Sequence, residues 1–185
     1  MHLLRRPRAL VGLAISVLAA LAVNAAPAAA SGTYYQGRTV FESSNRVWTA
    51  TGGSGGEVVY AASTGSAAQQ WDVVQASGRP TRQVNYVNRG TGLCLDVEPT
   101  GPSGQFTLGA RIVQQPCTSS LSQVWELRTD WDPFLRKAYA VENKLSLLSL
   151  TVEGASGADN AALVQDDLLG GWGGSHQFWH VTPVA

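Results

Sequence analysis

Three Gln-x-Trp tripeptides, Gln69-Gln70-Trp71, Gln123-Val124-Trp125 and Gln177-Phe178-Trp179, recur in this chain at one fixed interval. The tryptophans stand 54 residues apart both times, from 71 to 125 and from 125 to 179. A fixed period of this length means repeated structural units that bury their apolar faces against one another, so it constrains the fold before any other feature does. Turn-forming segments keep the same phase: Gly52-Gly53-Ser54-Gly55-Gly56, Thr100-Gly101-Pro102-Ser103-Gly104 and Gly154-Ala155-Ser156-Gly157. Each lies between the second and third strand candidates of its unit, where glycine supplies the positive φ of a tight turn.

Short runs rich in β-branched and aromatic residues dominate the rest, separated by Gly, Ser, Asn or Pro clusters. The strand candidates are Arg38–Phe41, Val58–Tyr60, Trp71–Val74, Val84–Val87, Leu93–Val97, Arg111–Val113, Val124–Leu127, Tyr139–Val141, Leu147–Val152, Leu163–Gln165 and Phe178–Val181. No window carries sustained three-four apolar spacing with caps at both ends, which excludes long helices. The expectation is an all-β domain of about twelve strands, four to a unit. Its units cover about 34–76, 82–130 and 137–185, and Asp130 to Pro133 connects the second to the third.

The first 30 residues read as a secretory signal. Arg5, Arg6 and Arg8 form a basic start, Ala9 to Val23 an apolar core, and Ala28-Ala29-Ala30 an A-x-A cleavage site. An uncleaved anchor is the alternative, which the small-residue site opposes. The expected mature domain, 31–185, is long enough for one sizeable core and is expected to be a secreted monomer. Without the three leader arginines, 10 basic residues face 13 acidic ones, a net charge of −3. That balance, with Lys and Arg scattered, argues against nucleic acid and anionic membrane as partners. In an exported chain the two cysteines, Cys94 and Cys117, are most simply one disulfide, which stabilises by about 3 kcal/mol on the chain-entropy argument. Two sulfurs are too few for a metal site.

A tryptophan repeated in phase in a β chain is expected in the core, so Trp71, Trp125 and Trp179 are assigned to structure. Gln69, Gln123 and Gln177 are assigned to satisfying backbone groups of neighbouring turns. With Gly92-Leu93-Cys94-Leu95-Asp96-Val97 and the following Cys117, these residues make the chain resemble the ricin B-type lectin domain, from about Tyr34 to the C-terminus. The resemblance implies a β-trefoil of three homologous subdomains that binds a polysaccharide or glycoconjugate at shallow sites, without cofactor or metal.

Such a sugar site needs a carboxylate for adjacent hydroxyls, an aromatic ring for the C–H face, and an amide for directional bonds. The resemblance places the carboxylate at Asp96, the ring two residues before the second cysteine, and a polar residue just before Gln-x-Trp. In the middle unit those last two positions are Gln115 and Ser122, with Gln114 and Gln123 as amides. Gln114 and Gln115 can hydrogen-bond but cannot stack. In the third unit Ser149 and Thr151 replace cysteine and aspartate, Gln165 matches a ligand-contacting glutamine, Asp167 takes the ring position and His176 precedes Gln177. Trp172, in the glycine-flanked segment Leu169–Gly174, belongs to no repeat position. Beside Asp166 and Asp167 it could rebuild a site, or it could lid the barrel. In the first unit Trp48-Thr49-Ala50 occupies the frame with neither cysteine nor aspartate, and Tyr60 is the available ring.

No nucleophile elbow, zinc-protease motif or phosphate loop occurs. The acidic pairs Asp130/Asp132 and Asp166/Asp167 lie in turn-like contexts that solvation explains. His176 and His180, four apart, would share a face on a strand, but no third ligand joins them. The chain reads as no enzyme. Two functions remain: a sugar-binding module with a partly eroded pattern, or a trefoil scaffold for a secreted protein partner.

Overall fold

The computed structural model describes residues 33–39, 45–99, 104–129, 138–169 and 171–184, with only the backbone described at 171–173. The expected leader, the Asp130–Pro133 connector, the Asp130/Asp132 pair and the Trp172 side chain lie outside the described residues.

Among the described residues twelve strands form three lobes of four: β1 (Tyr34–Thr39), β2 (Arg46–Ala50), β3 (Val58–Ala62) and β4 (Trp71–Gln75); β5 (Gln83–Asn88), β6 (Cys94–Val97), β7 (Ile112–Gln115) and β8 (Trp125–Arg128); β9 (Tyr139–Asn143), β10 (Ser149–Val152), β11 (Ala161–Asp166) and β12 (Phe178–Pro183). The first and last strands of each lobe close a six-stranded ring, β1-β4-β5-β8-β9-β12, every neighbour antiparallel. Closure removes the free edges that an open sheet would expose. The middle strands form three hairpins, β2–β3, β6–β7 and β10–β11, which meet across one end of the ring. Bridges Glu57 to Val113, Arg111 to Val164 and Ala161 to Tyr60 join them in turn. This is a β-trefoil.

Strand β2 is absent from the strand candidates above, and Trp48 within it proves to be one of the largest fully buried side chains. Its indole packs edge-on to Tyr86 and Trp179, with ring centroids 5.3 and 5.2 Å apart. Trp71, Trp125 and Trp179 lie in the same cluster, which also holds Leu95, Ile112, Leu150 and Leu163. Elsewhere boundaries move by a residue or a few: β1 starts at Tyr34 rather than Arg38, and β10 starts at Ser149 because Leu147 turns the chain at φ +64°. Cys94 and Cys117 are bonded, with Cα atoms 5.0 Å apart, clipping the segment that follows β7 to the start of β6.

Gly37 shows how closely the ring packs on β2. A Cβ there would stand 2.3 Å from Cε2 of the Trp48 ring, a core side chain with nowhere to move. Gly37→Ala is therefore expected to cost about 1–3 kcal/mol by overpacking, read as a lower denaturation midpoint in urea. An unchanged midpoint would mean that Trp48 is not wedged there.

Candidate functional site

The repeated tripeptide builds the same hydrogen-bonded frame three times. Each indole Nε1 donates to a hairpin carbonyl: Trp71 to Trp48 at 3.3 Å, Trp125 to Leu95 at 3.1 Å, Trp179 to Leu150 at 2.9 Å. Each glutamine accepts from a backbone N–H after the third strand, of Thr64, Thr118 and Leu169. Each carboxamide nitrogen donates to the carbonyl of Ala62, Pro116 or Asp167. Its second proton goes to the side-chain oxygen of Thr49 at 3.1 Å, Asp96 at 2.9 Å or Thr151 at 3.0 Å. The glutamine thus staples the second strand of a lobe to the end of its third.

Only the middle lobe has a carboxylate at this junction. Leu95 and Val97 face the core, so strand alternation turns Asp96 to the outer side of β6, where it is 5% exposed. One oxygen accepts from Gln123 Nε2 and the other from Val97 N at 2.7 Å. A carboxylate offers about four lone-pair sites, and these two neutral donors fill two of them. No cation pairs with it among the described residues. Burial with partial satisfaction leaves it suited to a ligand that brings hydroxyl donors.

Several residues expected at the sugar are used inside the fold. Gln114 and Gln165 are fully buried and equivalent, opposite Leu95 and Leu150 in their hairpins. Gln114 Nε2 donates to Gly52 O at 2.8 Å in the first lobe, and its Oε1 accepts from Thr91. Gln165 Nε2 donates to Gln105 O and Thr107 O, both at 3.0 Å, and its Oε1 accepts from Ser146. Both tie one lobe's loop to the next lobe's turn, with both amide groups engaged within the fold. Gln123 is likewise buried in its staple, and Ser122 is buried with its hydroxyl on Ser120. Of the amides, Gln115 keeps a partly exposed side chain, and its Oε1 accepts from Ser54 at 2.8 Å.

In the first lobe the candidate ring lies in the core. Tyr60, the counterpart of Gln114, is buried with its hydroxyl accepting from Thr39 N. In the third lobe a cleft of about 150 Å³ is lined by Thr39, Val152, Ala155, Ser156, Ser175 and His176. Burial holds the His176 imidazole below its ordinary pKa, with the Asp166 charge opposing. His176 lies in the 3-10 turn Gly171–Gln177 and His180 on β12, so the two share no strand face. Asp166 ends β11 rather than lying in a turn, and Asp167 follows it exposed. Thr151 stands in place of the carboxylate in this lobe, on Gln177 Nε2, and no acidic side chain is among the residues lining the cleft.

The architecture is shared with known structures. The designed threefold-symmetric protein ThreeFoil matches with a TM-score of 0.69 at 24% identity, covering 82% of this chain and 99% of that one. The exo-β-1,3-galactanase 1,3Gal43A from Clostridium thermocellum matches at 0.67 and 21% identity, over 82% of this chain but 30% of the enzyme. The Macrolepiota procera ricin B-like lectin, in complex with lactose, matches at 0.58 and 17% identity, over 82% and 95%. No curated protein matches. Residues 67–166, which hold the middle lobe and its flanks, match the family described as ricin-type beta-trefoil lectin domain-like. With the threefold staple and the Asp96 junction in place, the chain belongs to the ricin-type β-trefoil lectin-like family.

Proposed function

We propose that the chain is a secreted, non-catalytic glycan-binding module in which Asp96 takes the sugar hydroxyls. One comparison within the molecule carries the reading. Thr49 and Thr151 do for Gln69 and Gln177 what Asp96 does for Gln123, so the frame needs only a side-chain oxygen at that point. Burying a carboxylate without a cation is costly where a neutral hydroxyl serves. A ligand hydroxyl pair restores the missing donors and accounts for the charge.

Galactose-containing glycans are the class favoured, since one fold relative is a lactose complex and another acts on β-1,3-galactan. An array of immobilised glycans that includes lactose is expected to retain the folded chain. A blank array, with cooperative thermal unfolding of the same sample, rejects the reading. A protein-binding scaffold is the second reading, favoured by Gln115 standing where a stacking ring would be. Crosslinking that recovers one dominant protein partner, together with a blank array, would select it.

A further inference from the structure

The loop between the second and third strands differs in length among the lobes. It spans 51–57 in the first lobe, 153–160 in the third and 98–111 in the middle one, and is longest where the carboxylate lies. The 3-10 turn Gly104–Phe106 within it carries Phe106, 59% exposed and the only aromatic among the exposed large apolar side chains described.

Two hydrogen bonds place this turn beside the carboxylate. Val97 N donates to Asp96 Oδ1 at 2.7 Å, and Val97 O accepts from Gln105 Nε2 at 3.1 Å. The N–H and C=O of one strand residue point to the same edge. The pairing of Glu98 N with Arg111 O puts β7 on the opposite edge. The Asp96 carboxylate and the Gln105 carboxamide therefore lie side by side along the edge of β6 turned away from β7, with Phe106 the next residue.

The turn is held from the neighbouring lobe. Gln165 Nε2 reaches Gln105 O and Thr107 O, Gly109 N donates to Gln165 O at 2.8 Å, and Thr107 N donates to Gly104 O. An aromatic side chain left in water on a pinned turn is preorganised for a ligand rather than ordered by one.

We propose that Phe106 supplies the apolar face for the sugar ring held by Asp96, with Gln105 as the adjacent amide, replacing the ring missing at Gln115. The proposal rests on the reading of Asp96 given above. A C–H face of a sugar lies on the phenyl ring while hydroxyls on one edge of the pyranose reach the carboxylate and Gln105 Oε1. Gln165 is then a positioning residue that fixes the turn.

The test uses wild type, Phe106→Ala, Phe106→Trp, Leu108→Ala and Asp96→Asn on the glycan array, with lactose titrations followed by calorimetry. Leu108 is exposed on the same loop at 53%, which makes it the control for general loss of apolar surface. Phe106→Ala is expected to weaken binding about tenfold, Phe106→Trp to retain or strengthen it, and Leu108→Ala to stay within about twofold. Thermal midpoints of all three should match wild type, since exposed side chains contribute little to folding. Phe106→Ala binding as wild type does, while Asp96→Asn fails, overturns the proposal and leaves the Asp96 reading standing. Equal losses in Phe106→Ala and Leu108→Ala, with no recovery in Phe106→Trp, also overturn it. A folded wild type that binds nothing on the array removes both.

Discussion

Asp96→Thr loses glycan binding by about 100-fold or more while its unfolding midpoint stays at or above the wild-type value. Hydrogen bonds to a charged acceptor are worth about 1.5–3 kcal/mol each, so losing a pair for two sugar hydroxyls gives that factor or a larger one. Stability should not follow, because Thr49 and Thr151 already accept from their staple glutamines at 3.1 and 3.0 Å in the same frame. The substitution removes a buried charge and places a β-branched residue in a strand, both favourable. Isothermal titration with a glycan that the wild type retains, paired with thermal unfolding, checks both halves. Unchanged affinity would remove Asp96 from the site. A collapsed midpoint would instead make the carboxylate part of the fold.

Trp125→Ala carries the largest expected stability effect. The ring is fully buried, and truncating a buried tryptophan costs about 3–5 kcal/mol from lost transfer and the cavity left behind. The loss also strips Leu95 O of its indole donor, and an unsatisfied buried carbonyl adds about 1–3 kcal/mol unless water reaches it. In a domain of this size the midpoint should fall by roughly 10 °C or more. Trp125→Phe, which keeps most of the volume but not the N–H, should lose less. Because the carbonyl belongs to the residue next to Asp96, Trp125→Ala is also expected to weaken glycan binding. Near-native unfolding of Trp125→Ala would contradict the threefold frame.

Much of this architecture is written in short-range patterns. The Gln-x-Trp period, the alternation Leu95-Asp96-Val97 and the paired cysteines each depend on neighbours close in the chain or on exact repetition. The same local reading passes over β2. Trp48-Thr49-Ala50 looks like a worn binding frame, and only five residues between polar segments mark the strand. Its burial is decided by Tyr86 and Trp179, which come from the other two lobes.

The polar residues divide in the same way. A glutamine at a strand end reads alike whether it meets a sugar or a neighbouring backbone. The Gln114 amide is engaged by Gly52 O, 62 positions earlier, and that of Gln165 by Gln105 O, 60 positions earlier. Phe106 carries no motif at all and becomes a candidate only because Gln105 caps Val97 O across eight residues of loop.

By itself, then, the sequence determined the strand-rich threefold plan, the disulfide and the lone carboxylate. Periodicity and chain-local turn chemistry specify these without reference to distant partners. Which polar groups remain for a ligand was decided by tertiary structure alone. A donor or acceptor already satisfied across a lobe boundary is lost to recognition, and that boundary exists only when the ring is closed.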